Sequence, residues 1–179
     1  MGLRAEPVRS SRRKREIKEI YQFSFAREDR MPFWMMLLMS YLWHTEFLAF
    51  YDGDTLCGIL YMASLGKLTF IMFFAVEEGL RSKGHGGQIL AQAQARHAEN
   101  KLIVSIEPCL DGAEDLAVRT RRRQFYLRNG FAPSDHFMRM GGKDQEVLIK
   151  NGTFDRREFK RFFLLYSNCT VIPKIWRVT

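Results

Sequence analysis

Hydrophobic and polar positions follow two different spacings along the chain, and these spacings predict alternating strands and helices. Short apolar runs rich in β-branched and aromatic residues are typical of strands, and apolar positions three and four apart are typical of helices. The predicted strands are 3–8, 45–51, 55–64, 67–76 and 102–107, with a last hairpin of 137–140 and 145–150. The predicted helices are 11–25, 32–42, 87–100 and 114–128. Asp155, followed by Glu158, predicts the capped start of one more short helix.

The composition predicts a globular protein with one main core. The chain has 179 residues, 46% of them hydrophobic, and a single core is usual at this length. Cys57, Cys109 and Cys169 lie far apart without metal-ligand spacing, so we expect no disulfide framework, no metal and a cytoplasmic location. The most apolar run, 31–43, is shorter than the ~20 residues that a membrane helix needs, so no membrane association is expected.

A glycine-rich loop joins the predicted strand 67–76 to the helix that follows it. Glycines ahead of a helix leave backbone N–H groups accessible, and these groups bind anions together with the positive end of the helix dipole. A Walker A loop would need Lys and then Ser or Thr after its last glycine, but Gly86 is followed by Gly87 and Gln88. The dinucleotide fingerprint would need Gly or Ala where Ile89 stands. A plain strand-to-helix connection is the remaining alternative.

Two motifs in this chain resemble those of the GNAT superfamily of N-acetyltransferases. Arg81-x-x-Gly84-x-Gly86, after a strand that ends at Val76, is similar to the family's acetyl-CoA signature. The segment 125–131, Phe-Tyr-x-x-x-Gly-Phe, is similar to the end of the family's later helix. The resemblance covers roughly residues 3 to 150, and short glycine motifs gain weight when a second motif follows in order.

The resemblance implies both a fold and an activity. The fold is α/β (α+β), with a central, mixed, mostly antiparallel, twisted sheet of six to seven strands flanked by helices. Residues 1–150 would form the GNAT domain, and 151–179 a helical extension packed on it or at a homodimer contact. The activity is transfer of an acetyl group from acetyl-CoA to a primary amine, directly and without a metal.

The resemblance also implies which residues act. Tyr126 would be the general acid that protonates the leaving sulfur. The family's usual acidic residue on the strand is replaced by Met72, so Glu107 is the predicted general base. Glu77, Glu78 and Asp111, or a base that acts through water, are the alternatives. The predicted cofactor-binding residues are Phe74, Ala75, Val76, Arg81, Ser82, Lys83, Gly84, His85, Gly86, Gly87, Arg122 and Tyr126.

Two other functions stay open at this point. Without an acid at position 72, the chain can be a non-catalytic acetyl-CoA sensor of the same fold. A net charge of +8, with arginine clusters at 12–15 and 119–123, would also suit nucleic acid, but coenzyme A is itself a polyanion, so a nucleic-acid partner is not expected. The acceptor amine is not predicted. A polycationic amine would need local acid, which the following residues can supply: Glu28, Asp29, Glu46, Asp52 and Asp54.

Overall fold

A computed structural model describes residues 2–41, 44–167 and 171–177. The chain divides into two compact units, Met1–Ser64 with Ile71–Ala98, and Leu65–Phe70 with Glu99–Thr179. Among the described residues, eight strands form one sheet in the order β1-β2-β3-β4-β5-β7-β6-β8. The α/β class with a sheet flanked by helices is therefore confirmed, but the sheet is larger than the six to seven strands predicted.

The first unit contains most of the first four strands and three helices. Its elements are β1 (Arg4–Pro7), α1 (Lys14–Ser24), α2 (Phe33–Met39), β2 (Thr45–Asp52), β3 (Thr55–Leu65), β4 (Leu68–Val76) and α3 (His85–Arg96). Strand β2 pairs antiparallel with both β1 and β3. Side chains of α1 and α2, among them Ile17, Tyr21 and Met36, are buried against β2 and β3.

Helix α2 is apolar on its outer side as well as its inner side. Phe33 and Leu37 pack against the core of the first unit, whereas Trp34 and Leu38 are more than half exposed. A helix that is apolar all round is normally buried, so this exposed side is unusual for a surface helix. The predicted helix 32–42 is longer than α2, and its last residue, Leu42, lies outside the described residues, as does Trp43.

The second unit contains the remaining elements of the chain. They are β5 (Lys101–Ile106), α4 (Leu116–Arg128), β6 (Ala132–Met140), β7 (Lys143–Lys150), α5 (Arg156–Tyr166) and β8 (Lys174–Arg177). Strand β7 pairs antiparallel with β5 on one side and β6 on the other. Gly141 and Gly142 turn β6 into β7, both with the positive φ that a two-residue hairpin turn favours.

Helix α5 begins at the cap that the sequence predicted. The Asp155 carboxylate accepts hydrogen bonds from the N–H groups of Arg157, at 2.7 Å, and Glu158, at 3.1 Å. The reciprocal half of a capping box is absent, because the Glu158 carboxylate forms an ion pair with Lys101 instead. Three phenylalanines of α5 then pack around Phe70, with ring centroids 5.3–6.0 Å apart: Phe159, Phe162 and Phe163.

Several element bounds differ from the prediction, such as β6, which is Ala132–Met140 and not 137–140. Two differences have a physical reason in the structure. Strand β8 was not predicted; it pairs with the outer edge of β6, with Trp176 opposite Phe137, so its strand form depends on a partner distant in sequence. Helix α3 begins at His85 and not at Gly87. Glycine is a weak helix former, so local preference places the start too late. The cysteine at 169 lies outside the described residues, and Cys57 and Cys109 form no disulfide.

Candidate active site

The glycine-rich loop lies between β4 and α3 in the first unit. One 3₁₀ turn, Glu78–Leu80, follows β4, and α3 then begins with Gly84 as its N-cap. Gly84 has a φ of 88°, which a residue with a side chain rarely adopts, and no side chain caps the helix. The N–H groups of a first helical turn have no partner within the helix. This helix start therefore has the features of an anion-binding site.

The basic side chains of the loop differ in how they are held. Arg81 donates from Nε to the carbonyl oxygen of Val76 at 3.3 Å, and its Nη1 lies 4.0 Å from a Glu78 carboxylate oxygen. Lys83 is exposed and forms no ion pair with any described residue. Ser82 has a φ of 64°, in the left-handed region. The predicted cofactor-binding residues 81–87 thus surround one helix start, with Lys83 available to a ligand.

The end of β4 carries the predicted residues Phe74, Ala75 and Val76, and it lies unusually close to β3. A Cβ atom placed on Gly58 of β3 would be 2.5 Å from the carbonyl oxygen of Ala75 and 3.3 Å from Cα of Val76. Only glycine fits at this point without moving the β4 backbone. Met72, at the place of the family's usual acid, packs with the apolar core of the first unit and offers no proton acceptor.

Tyr126, the predicted general acid, lies on α4 in the second unit. It is only 5% exposed, and its ring contacts those of Phe125 and Phe131 at centroid distances of 5.3 and 5.4 Å. Burial raises the pKa of Tyr126 well above its ordinary value of 10.0, and the nearby charge of Arg122 offsets only part of this. The phenol is therefore protonated at neutral pH, as the predicted role requires.

Glu107, the predicted base, is in contact with two arginines of α4. Arg122 donates from Nη1 to Oε2 at 2.8 Å, and Arg119 Nη2 lies 3.9 Å from Oε1. The structure thus brings together a predicted base and a predicted cofactor-binding residue, Arg122, in one ion pair. Two roles follow for Glu107: it can accept a proton, or it can orient the guanidinium of Arg122.

An acidic cavity in the first unit was not predicted from the sequence. It has a volume of about 590 Å³ and lies between α1, the turn from β2 to β3, and the residues that follow β4. Its charged lining consists of Arg13 and five carboxylates: Glu16, Glu19, Asp54, Glu77 and Glu78. Ile20 and Phe23 add apolar surface. No spacing in the sequence connects α1 with the end of β4. Of the acids named from the sequence, Asp54, named for an amine, and Glu77 and Glu78, named as possible bases, lie here.

Glu46 is one of the other acids named from the sequence, and it is held by its own ion pairs. His97 Nε2 lies 2.5 Å from one carboxylate oxygen, and Arg96 donates from Nε to the other at 2.9 Å. Partial burial raises the pKa of Glu46, but the hydrogen bonds from His97 and Arg96 outweigh it and hold the pKa below its ordinary value of 4.5. This carboxylate is therefore already paired within the fold.

The described residues offer neither a metal-ion site nor a membrane-spanning helix. The described part of the chain contains no group of three or more His, Cys, Asp or Glu side chains placed to hold a metal ion. Within that same part, none of the helices has the length and apolar character to cross a bilayer.

Solved structures with the same architecture are acetyltransferases. A protein assigned to the GNAT family from Bacteroides thetaiotaomicron aligns with a TM-score of 0.71 at 17% identity, over 91% of this chain and 98% of its own. An acetyltransferase from Bacillus subtilis in complex with CoA has a TM-score of 0.58 at 17% identity, over 83% and 97%. The chain has the GNAT fold.

Another GNAT structure extends this comparison. The GNAT-family acetyltransferase from Elizabethkingia anophelis, with acetyl-CoA bound, has a TM-score of 0.56 at 16% identity, over 83% of this chain and 97% of its own. Neither a protein-family model nor a curated protein matches the sequence. The GNAT fold predicted from two short motifs is thus confirmed by architecture, although the identity to these structures is only 16–17%.

The ion pairs of Glu46 predict a pH dependence of stability. A carboxylate whose pKa is lowered by folding stabilises the fold above 4.5, its ordinary value, and loses this contribution as the pH falls through the folded-state value. We expect Glu46→Gln to lower the free energy of unfolding at about pH 6 and to have a smaller effect at about pH 3. Urea unfolding at both pH values measures the loss of stability. Glu19→Gln, on the exposed side of α1, is the control. An equal effect at both values contradicts the prediction.

Proposed function

We propose that this protein is an N-acetyltransferase that moves an acetyl group from acetyl-CoA directly to a primary amine. The observation that carries the proposal is the uncapped, glycine-rich start of α3 directly after β4, in a chain with the GNAT fold. Two of the similar structures hold CoA or acetyl-CoA. The proposal goes beyond the fold, because a fold by itself does not determine a reaction.

The cosubstrate binds through backbone and basic groups. The N–H groups at the start of α3 bind the diphosphate, and Lys83 and Arg81 add positive charge. Strand β4 at 74–76 binds the pantetheine arm through β-type hydrogen bonds. The N–H of Ala75 or Val76 stabilises the oxyanion that forms on the thioester, a contribution of about 3 kcal/mol in acyl-transfer enzymes. Arg122 contacts a phosphate of the cosubstrate.

The reaction proceeds in one addition and one elimination. The neutral amine nitrogen attacks the thioester carbonyl carbon, and its extra proton passes to Glu107 directly or through water. The C–S bond of the tetrahedral intermediate then breaks, and Tyr126 donates a proton to the departing sulfur. The products are the amide and free CoA, and proton exchange with water restores both side chains.

The acceptor is a cationic amine in this proposal. The acidic cavity begins at Glu77, the residue directly after Val76, so it adjoins the proposed oxyanion donor within the first unit. Three of its five carboxylates are paired with arginines: Glu16 with Arg13, Glu19 with Arg15 and Glu78 with Arg81. Asp54 and Glu77 form no ion pair with any described residue, and they attract an ammonium compound even though the protein as a whole is basic. A cytoplasmic location and a homodimer remain predictions from the sequence.

The function is tested by binding and transfer measured on the same preparation. We expect calorimetry to show acetyl-CoA binding, and thiol release to increase with an amine panel. Amines that carry a second positive charge should react faster than neutral-chain amines of equal length. Tight binding without transfer to any amine would favour the sensor alternative. Absence of binding to acetyl-CoA and to CoA would overturn the proposal.

The role of Tyr126 predicts a separation of rate from affinity. Tyr126→Phe keeps the ring that packs on Phe125 and Phe131 but removes the proton donor. We expect kcat to fall about a hundredfold, the usual size of a general-acid contribution, while the Kd for acetyl-CoA stays nearly unchanged. Steady-state kinetics and calorimetry measure the two quantities. Tyr41→Phe, on the exposed surface, is the matched control, and an unchanged kcat in Tyr126→Phe rejects the role.

The two possible roles of Glu107 predict different pH profiles. As a base, Glu107 is needed most where the amine is protonated, so Glu107→Gln should lower kcat/KM strongly at neutral pH and less at high pH. If the carboxylate only orients Arg122, the same variant should raise the Kd for acetyl-CoA and lower the rate equally at all pH values. The pH–rate profile together with calorimetry separates these results. If the variant and the wild type have parallel pH–rate profiles, Glu107 is not the base.

A further inference from the structure

We infer that the His85 side chain is a positioning residue that holds the diphosphate-binding loop in shape. This inference rests on the proposed function, since it concerns how the loop binds acetyl-CoA. His85 is the first residue of α3, and its side chain is buried beneath the loop, with the residue only 9% exposed. If His85 contributed only its backbone N–H to ligand binding, its side chain would not need to be buried.

One ring nitrogen of His85 closes the base of the loop. Nδ1 lies 3.3 Å from the carbonyl oxygen of Leu80. A carbonyl oxygen only accepts, so Nδ1 carries the proton and donates it. The bond joins the residue before the loop to the residue after it, and Arg81–Gly84 lie between them. The ring therefore sets the distance between Leu80 and His85, the two residues that flank Arg81–Gly84.

The enclosed residues need such a constraint. Ser82 and Gly84 both have positive φ, at 64° and 88°, and Ser82 is not a glycine. A serine in the left-handed region is unfavourable and persists only where the surrounding structure holds it. This conformation determines where Lys83 and the N–H groups at the start of α3 point. Without the hydrogen bond from His85 to Leu80, the backbone at 81–84 would leave this conformation, and the loop would bind an anion more weakly.

The other ring nitrogen faces a carboxylate on the opposite side of the ring from Leu80. Nε2 lies 3.7 Å from a carboxylate oxygen of Asp52, at the end of β2. The ring thus lies between the loop and the turn that joins β2 to β3. Because the two nitrogens have different partners, amide side chains can replace them separately. Asn places its NH₂ at the δ position, as Nδ1 is placed, and Gln places its NH₂ one bond further out.

The test compares these two substitutions by calorimetry with CoA. We expect His85→Gln to raise the Kd about tenfold, the loss of one buried hydrogen bond, and His85→Asn to restore most of the affinity. In kinetics, His85→Gln should raise the KM for acetyl-CoA more than it lowers kcat. His136→Gln is the matched control, since His136 Nδ1 also lies close to a backbone carbonyl, that of Ser134, at 2.7 Å.

The outcomes separate this inference from the proposed function. If wild-type protein binds CoA and His85→Gln binds it equally well, the positioning role is wrong while the function stands. If Asn impairs binding as much as Gln, the bond to Leu80 is not the cause, and the inference also fails. If the wild-type protein does not bind CoA, the function fails and the inference with it. A measurement without variants uses the ¹⁵N spectrum of the wild-type imidazole, in which an unprotonated Nδ1 would overturn the inference.

Discussion

The position of the candidate site depends on the close approach of β3, β4 and α3 at Gly58. A side chain there would collide with the Ala75 carbonyl and would lie 3.0 Å from a terminal carbon of Ile89 on α3. Since glycine leaves this space open, the end of β4 and the second turn of α3 pack against the same point of β3. The loop between them is then held at both ends, and the N–H groups at the start of α3 stay beside the end of the strand.

The local arrangement of charged side chains says more about this protein's ligands than its net charge does. The net charge of +8 suggests a polyanionic partner, yet three arginines of α4 already form ion pairs with carboxylates: Arg119, Arg122 and Arg123. The first unit meanwhile contains a cavity whose charged lining residues are mostly carboxylates. Basic charge at the loop for the diphosphate and acidic charge for an amine suit a reaction between an anionic cosubstrate and a cationic acceptor. Because these arginines are already paired, the structure supports nucleic-acid binding less than the net charge did.

The proposed catalytic groups are tuned by different surroundings. Tyr126 is buried among aromatic rings, and this burial raises the pKa of its phenol, which is protonated at neutral pH. Glu107 is partly exposed and held by guanidinium groups, so its carboxylate can orient Arg122 or accept a proton. Met72 adds nothing to this chemistry, because it belongs to the apolar core. The assignments of the base and of the acid therefore both stay predictions.

The sequence by itself determined the features that depend on neighbouring residues. The glycine loop before α3 and the Asp155 cap were predicted correctly, because positive φ and capping are properties of short segments, and the order of two motifs was enough to indicate the GNAT fold. Only the tertiary structure decided what depends on residues far apart in the chain. It placed Glu16 beside Glu77 in one cavity and Gly58 beside Ala75, and it paired Glu107 with Arg122 and β8 with β6. Such contacts have no spacing in the sequence, because they arise when separate elements pack together.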